Sequence, residues 1–321
     1  MKRNRFPPRF AYLLMGTLLL SAGIFYYAAP LGGGNRPSFS SPMVSSSVSL
    51  VSQKFFGGRG VSREKPSFSK GIFREVHVLP QTVQTINRFY HFVQGPLVKG
   101  GQCTLVPRLF SVSIPRDIRQ VKNSQNRREV FIKMVLPLVL KVNEEVLEQR
   151  ARLLAIGYRQ KRALPVAGED RLFLQEIART YRMTTVSVEG LLKRVDQVPP
   201  SLALAQAILE TGCGTSCAAL NKHSIFGHMA TLTKVKSFSS LSHSVYAYVR
   251  NLNRHTAYHE FRLIRHRLRK SNKPLSGHSL AVGLMKYSIR GQDYIKDLQK
   301  LIRLYNLEKF DGAALQPQTE I

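Results

Sequence analysis

Residues 201–227, SLALAQAILETGCGTSCAALNKHSIFG, open with an almost uninterrupted apolar run from Leu202 and then carry a single carboxylate, Glu210. Apolar side chains at nearly every position, rather than along one stripe, specify a helix enclosed by protein on all sides. A chain with such a helix must build a core around it. Pro199 and Pro200 close off what comes before, Ser201 reads as the N-cap, and Gly212 and Gly214 stop the helix just after Glu210.

The position of Glu210 has chemical consequences. Ile208 and Leu209 beside it, and the negative end of the helix dipole, both disfavour the ionised carboxylate and push its pKa upward. A carboxylic acid that keeps its proton near neutral pH suits glycosidic bond cleavage, where the leaving oxygen must be protonated. The same placement also fits a solvated helix-end residue with no chemistry. Local features alone do not separate the two.

Along the rest of the chain, residues 1–30 begin with Lys2, Arg3, Arg5 and Arg9 and continue with an uncharged run at 10–29. This is an export signal, either a retained membrane anchor, the reading favoured by the length of the run, or a cleaved signal peptide. It predicts an N-terminus at the inner membrane with everything else outside, in the periplasm or secreted. Residues 31–70 are Ser- and Gly-rich and read as a linker. Residues 71–111 come in short alternating pieces that fit one or two small strands or a short helix, with no functional assignment. Periodicity then predicts helices at 130–155, bent at Pro137, and at 171–183, 188–195, 242–253, 256–269, 279–287 and 294–305, with a short β-ribbon at 232–240. Residues 307–321 form a tail.

Several spaced blocks share their order with a known family. They are Ala207-Ile208-Leu209-Glu210-Thr211-Gly212-Cys213-Gly214, Asn221, Ile225-Phe226-Gly227, Phe238-Ser239-Ser240, Ser244-Val245-Tyr246-Ala247-Tyr248-Val249 and Tyr287-Ser288, with Phe131-Ile132-Lys133 and Leu192-Lys193-Arg194-Val195-Asp196 upstream. Together they resemble the peptidoglycan glucosaminidases of glycoside hydrolase family 73, and within them the bacterial Bax-type proteins, over residues 112–306. The resemblance implies a mostly α, lysozyme-like catalytic domain with a small β-ribbon, acting on the β-1,4 links of peptidoglycan glycan strands. It implies Glu210 as general acid, Tyr287 as an assisting catalytic residue, and Gly212, Gly214, Asn221, Phe226, Gly227 and Tyr294 along the sugar groove. It implies no cofactor and no metal. His255 and His259 have helical spacing but lack a convincing third ligand.

The chain departs from the family in two places. No Asp or Glu lies between Glu210 and Glu260, and His243 stands where the family often has Glu, so a second carboxylate is missing from the expected segment. Four explanations remain open: participation of the substrate's own acetamido group with help from Tyr287, attack by the sugar's 6-hydroxyl as in a lytic transglycosylase, a second acid at Asp293, or a non-catalytic wall-binding protein. Cys213 stands where the family has Trp, and the chain has no Trp at all, so sugar stacking is expected from Phe226, Tyr287 and Tyr294. Cys213 and Cys217 read as two small thiols in preference to a disulfide.

The formal charge of +29 suggests nucleic acid at first sight. Its spread along the chain and the export signal argue against that partner, and envelope polyanions are the alternative target.

Overall fold

A computed structural model of the protein describes residues 76–93, 99–100 and 103–317, which are mostly helical. The membrane-segment and linker readings for residues 1–70 lie outside the described residues. Among the described residues no helix is long and apolar enough to cross a membrane.

The scaffold is built on α2 (Ser124–Lys161), whose N-cap Asn123 accepts a hydrogen bond from the Asn126 amide. Pro137 sits inside it, as expected, and cannot donate to the carbonyl of Lys133 one turn back. The hydroxyl of Tyr90 donates to that carbonyl instead. Tyr90 belongs to α1 (Val83–Val93), which packs on α2 and whose first amide is received by both oxygens of Asp117 at 3.0 Å. The same N-terminal region supplies β1 (Val76–Val78), β2 (Lys99–Gly100), β3 (Cys103–Val106) and β4 (Leu109–Ser111). β1 runs parallel to β4, while β3 pairs antiparallel with β2 and parallel with β5 (Ala314–Leu315). The folded unit therefore extends past both expected limits, 112 and 306, because strands from either side of them pair with each other.

α3 (Gly168–Thr180) and α4 (Val188–Arg194) follow α2 and lead to the predicted central helix, α5 (Pro200–Thr211). All of α5 from Pro200 to Ile208 is buried, between α2, α9 (Gly277–Leu280) and α10 (Gln292–Leu304). Its start differs from the expectation. Pro199 is the N-cap, Pro200 takes the first helical position, and Ser201 is a fully buried residue of the first turn. Proline cannot cap through its side chain, and Asp311 does so from outside: its carboxylate accepts from the Ser201 amide at 2.8 Å, from Ser201 Oγ at 2.7 Å and from the Gly277 amide at 3.0 Å. Negative charge at a helix N-terminus is favourable, and here it also ties the two helices together.

The remaining elements are α6 (Cys217–Lys222), α7 (Leu241–Arg254) and α8 (His259–Lys270), with short 3-10 turns at Arg116–Gln120, Thr256–Tyr258, Ala281–Leu284 and Leu307–Phe310. The β-ribbon expected at 232–240 is reduced to a single antiparallel bridge between Met229 and Val235. Loop amides on either side of it close a small hairpin, Ala230 to Lys234 and Lys236 to His228, both at 2.8 Å. His243 takes a helix-capping place in α7, where Ser240 is the N-cap and the His243 ring Nδ1 lies 2.7 Å and 3.0 Å from the hydroxyls of Ser239 and Ser240.

The segment that delivers α5 is pinned by buried polar groups. Asn143 of α2 exchanges two hydrogen bonds with the backbone of Val198, and Asn253 of α7 donates to the Asp196 carbonyl. Around Asp196 converge Arg150 of α2 and Arg265 and Arg269 of α8. Arg269 grips both carboxylate oxygens at 2.9 and 3.0 Å, and the fully buried Arg265 donates to the carbonyls of Arg194, Asp196 and Gln197.

Candidate active site

Glu210 occupies the last turn of α5, and the chain leaves the helix through Gly212, Cys213 and Gly214, all with positive φ (57°, 58° and 83°). Such a run of left-handed residues reverses the backbone at once and leaves the carboxyl at the end of the buried helix. Gly212 and Gly214 serve this turn. A Cβ on Gly214 would lie 2.9 Å from the Phe131 ring, and one on Gly212 would press on Thr215 Oγ1 at 3.0 Å. Thr211 completes it by accepting from the Gly214 amide at 2.8 Å.

The carboxyl is held from the far side of the core. Tyr294 donates its hydroxyl to Glu210 Oε1 at 3.0 Å, Gln206 Nε2 donates to the Tyr294 oxygen at 3.0 Å, and Tyr248 donates to Gln206 Oε1 at 2.6 Å. This chain of neutral groups is buried from end to end. Burial pushes the Glu210 carboxyl up to about 7, against smaller downward pulls from the Tyr294 hydrogen bond and the Arg290 cation. The expected direction is therefore present, and desolvation is its main cause. Burial and the nearby Glu210 charge in turn hold the Tyr287 and Tyr294 phenols well above their ordinary pKa.

Gly227 meets the other oxygen. A Cβ on it would stand 2.8 Å from Glu210 Oε2, and its φ is +63°. The glycine lets the backbone approach the acid. The preceding carbonyl, Phe226 O, accepts from the Tyr287 hydroxyl at 2.8 Å, so Tyr287 fixes the Phe226-Gly227 peptide against Glu210.

A groove of about 910 Å³ opens beside this point, with Gly227, Tyr258 and Tyr287 at its inner end and α7 and the 228–236 hairpin as its walls. Two of the three rings expected to stack on sugar are almost fully buried. Phe226 is 1% exposed, with its ring stacked on Tyr248 at 3.9 Å, and Tyr294 is 3% exposed, stacked on Tyr287 at 5.6 Å. These rings are core, because the sequence interleaves them with residues that must be buried. Phe226 and Tyr287 border the groove and Tyr294 does not. Asn221 is exposed, 3.4 Å from Arg116, and is not among the groove's lining residues.

Asp293 does not face Glu210. It is exposed in the first turn of α10 and pairs with Lys296 at 3.4 Å, whereas its neighbour Tyr294 turns inward. No Asp or Glu lines the groove among the described residues. Cys213 and Cys217 are free thiols. The residues that sequence reasoning missed are Gln206 and Tyr248. A lone Gln in an otherwise apolar buried helix was the available signal, since such a group needs a partner.

The family model for glucosaminidase, described as mannosyl-glycoprotein endo-beta-N-acetylglucosaminidase, matches residues 190–307. That span contains Glu210, the phenol relay and the groove. The protein bax of Escherichia coli (strain K12) is 32% identical over 200 residues, which cover 57% of this chain and 71% of that relative. No solved structure matches the chain.

Proposed function

The chain belongs to the Bax-type, glucosaminidase-like family, and from that premise we propose that it is a peptidoglycan β-N-acetylglucosaminidase with Glu210 as its general acid. The observation that carries this reading is a carboxyl with a pKa near 7, fixed by a neutral phenol on one oxygen and lying with the other against Gly227, a residue that lines a substrate-sized groove. Protonated Glu210 gives its proton to the glycosidic oxygen as the bond to the sugar's C1 breaks. With no second carboxylate lining the groove among the described residues, the substrate's acetamido oxygen closes onto C1 to form an oxazolinium ion, a known exception to the two-carboxylate rule. Water then attacks C1, giving its proton back to Glu210, and the acetamido group is released.

Tyr287 fits an assisting role through geometry. Its proton goes to Phe226 O, which leaves the phenol oxygen as an acceptor for the acetamido N–H. We place the protein in the bacterial cell envelope, tethered to the inner membrane by residues 10–29 or released from it by cleavage, with its cationic surface directed to wall polyanions and not to nucleic acid.

The test is mass spectrometry of purified peptidoglycan treated with the full chain or its Glu210→Gln variant. Reducing-end N-acetylglucosamine products that vanish in the variant are expected. Anhydro-muramyl ends would reassign the reaction to a lytic transglycosylase, and wall binding without products from either protein would leave a binding module.

A further inference from the structure

The groove beside Glu210 is cationic without any compensating acid. Lys236, Arg250 and Arg254 line it, and no Asp or Glu does. Arg250 and Arg254 stand one turn apart on the same face of α7, a spacing at which like charges repel. Among the described residues neither guanidinium has a carboxylate partner, and Arg250 Nε is buried with no hydrogen-bond partner. Burial, followed by the charges of Arg250 and Arg182, holds the Arg254 guanidinium below its ordinary pKa, so these cations feel one another.

A fold does not gain from such an arrangement. Arg150, Arg265 and Arg269 show how the same chain settles clustered arginines when they are structural: it gives them Asp196. A planar guanidinium with a desolvated, unused N–H is suited to an anion that arrives from outside, and a carboxylate matches its fork.

We propose that Arg250 and Arg254 form a carboxylate subsite of the groove, which takes the acidic side chains borne by alternate sugars of the glycan strand. The proposal rests on the peptidoglycan reading above and adds what the enzyme reads on that polymer. A neutral strand of N-acetylglucosamine offers nothing to these cations, whereas a strand with free lactyl carboxylates, or with peptide carboxylates where the lactyl group is amide-linked to a peptide, neutralises them. The inner end of the groove then holds the neutral sugar at Glu210 and the α7 wall holds the charge, so the subsite also sets which bond of the alternating polymer meets the acid.

The experiment is calorimetric binding with the full-length Glu210→Gln protein, which separates recognition from cleavage. The probes are tetrasaccharide fragments of peptidoglycan with their peptides intact, the same fragments after methyl esterification, and neutral N-acetylglucosamine tetramer. Free-carboxyl fragments are expected to bind ~10-fold more tightly than the esters, with the advantage shrinking as salt rises. Adding Arg250→Gln and Arg254→Gln should erase that advantage while affinity for the neutral tetramer stays, which also shows that the variant is folded. Arg250→Lys with Arg254→Lys should keep part of it. Equal affinity for acid and ester, full discrimination in the double Gln variant, or no binding of any fragment would overturn the proposal. Absence of cleavage products from the wild-type protein would instead count against the hydrolase reading, independently of this result.

Discussion

Two carboxyls lie in protected surroundings 14 positions apart, Asp196 just before α5 and Glu210 in its last turn, and they are driven in opposite directions. Burial opposes ionisation at both. At Asp196 the charges of Arg265, Arg269 and Arg150, with hydrogen bonds from Arg269, more than offset it and hold the carboxyl below its usual range. At Glu210 the downward pulls of the Tyr294 hydrogen bond and the Arg290 charge are weaker, and burial prevails. The difference teaches that the neighbours' charge, more than depth, decides whether a buried carboxyl becomes a structural anion or an acid.

Removing each group should therefore have opposite consequences. Glu210→Gln is expected to lower kcat by ~10²–10⁴, measured by product release from purified peptidoglycan. Its folded stability should nonetheless rise at pH 8, by thermal unfolding. The sign follows from linkage: a folded pKa near 7 above an unfolded value of ~4.3 makes wild-type stability fall as pH climbs between the two. At pH 4 the two proteins should unfold alike. If the variant is less stable at pH 8, the contrast with Asp196 fails.

Asp196→Asn should destabilise by ~3–5 kcal/mol, because it takes the carboxylate from Arg150 and Arg269 and leaves the charge of buried Arg265 uncompensated. Denaturant unfolding measures this. Since the folded pKa of Asp196 is depressed, its contribution is present above pH ~4 and is lost as pH falls through the folded value.

Smaller effects sharpen the Glu210 side. Tyr294→Phe removes a hydrogen bond that favours the ionised acid, so the alkaline limb of the kcat profile, near pH 7 in the wild type, should move upward. At pH 6, where the acid is protonated in both, kcat should change by less than ~10-fold. Arg290→Gln should shift the limb in the same direction but less, because Arg290 is half exposed and already paired with Asp297 at 2.6 Å. A downward shift in either variant would contradict the assignment of Glu210 to that limb.

The sequence made one side of the comparison far easier to read than the other. The central helix, its glycine stop and the upward push on Glu210 depend on residues within a few positions of one another, so pattern and composition reveal them. Tyr294 lies 84 positions from Glu210, and its burial turned an expected sugar platform into a hydrogen-bond donor. The Ser201 cap was misread for the same reason, because Pro199 cannot cap through its side chain and Asp311 is 110 positions away. Asp196 appeared only as part of a matching block, with nothing local to show that α8 would surround it with arginines. Gly227 was legible only as part of a matching block, and nothing local showed that it lies against the protein's own acid. Helical periodicity announced α2 and its proline, while the strands that enlarge the folded unit past residues 112 and 306 were too short to announce themselves.

The bond from Asp311 to the first turn of α5 also places the acid in time. During synthesis Ser201 emerges 110 residues ahead of the carboxylate that anchors it, and Glu210 emerges 84 ahead of the phenol that holds it. A nascent chain thus carries its acid long before that acid has a fixed position. Only when α10 and the turn after it have left the ribosome can the site close, so on the proposed function an interrupted product of translation is a harmless one.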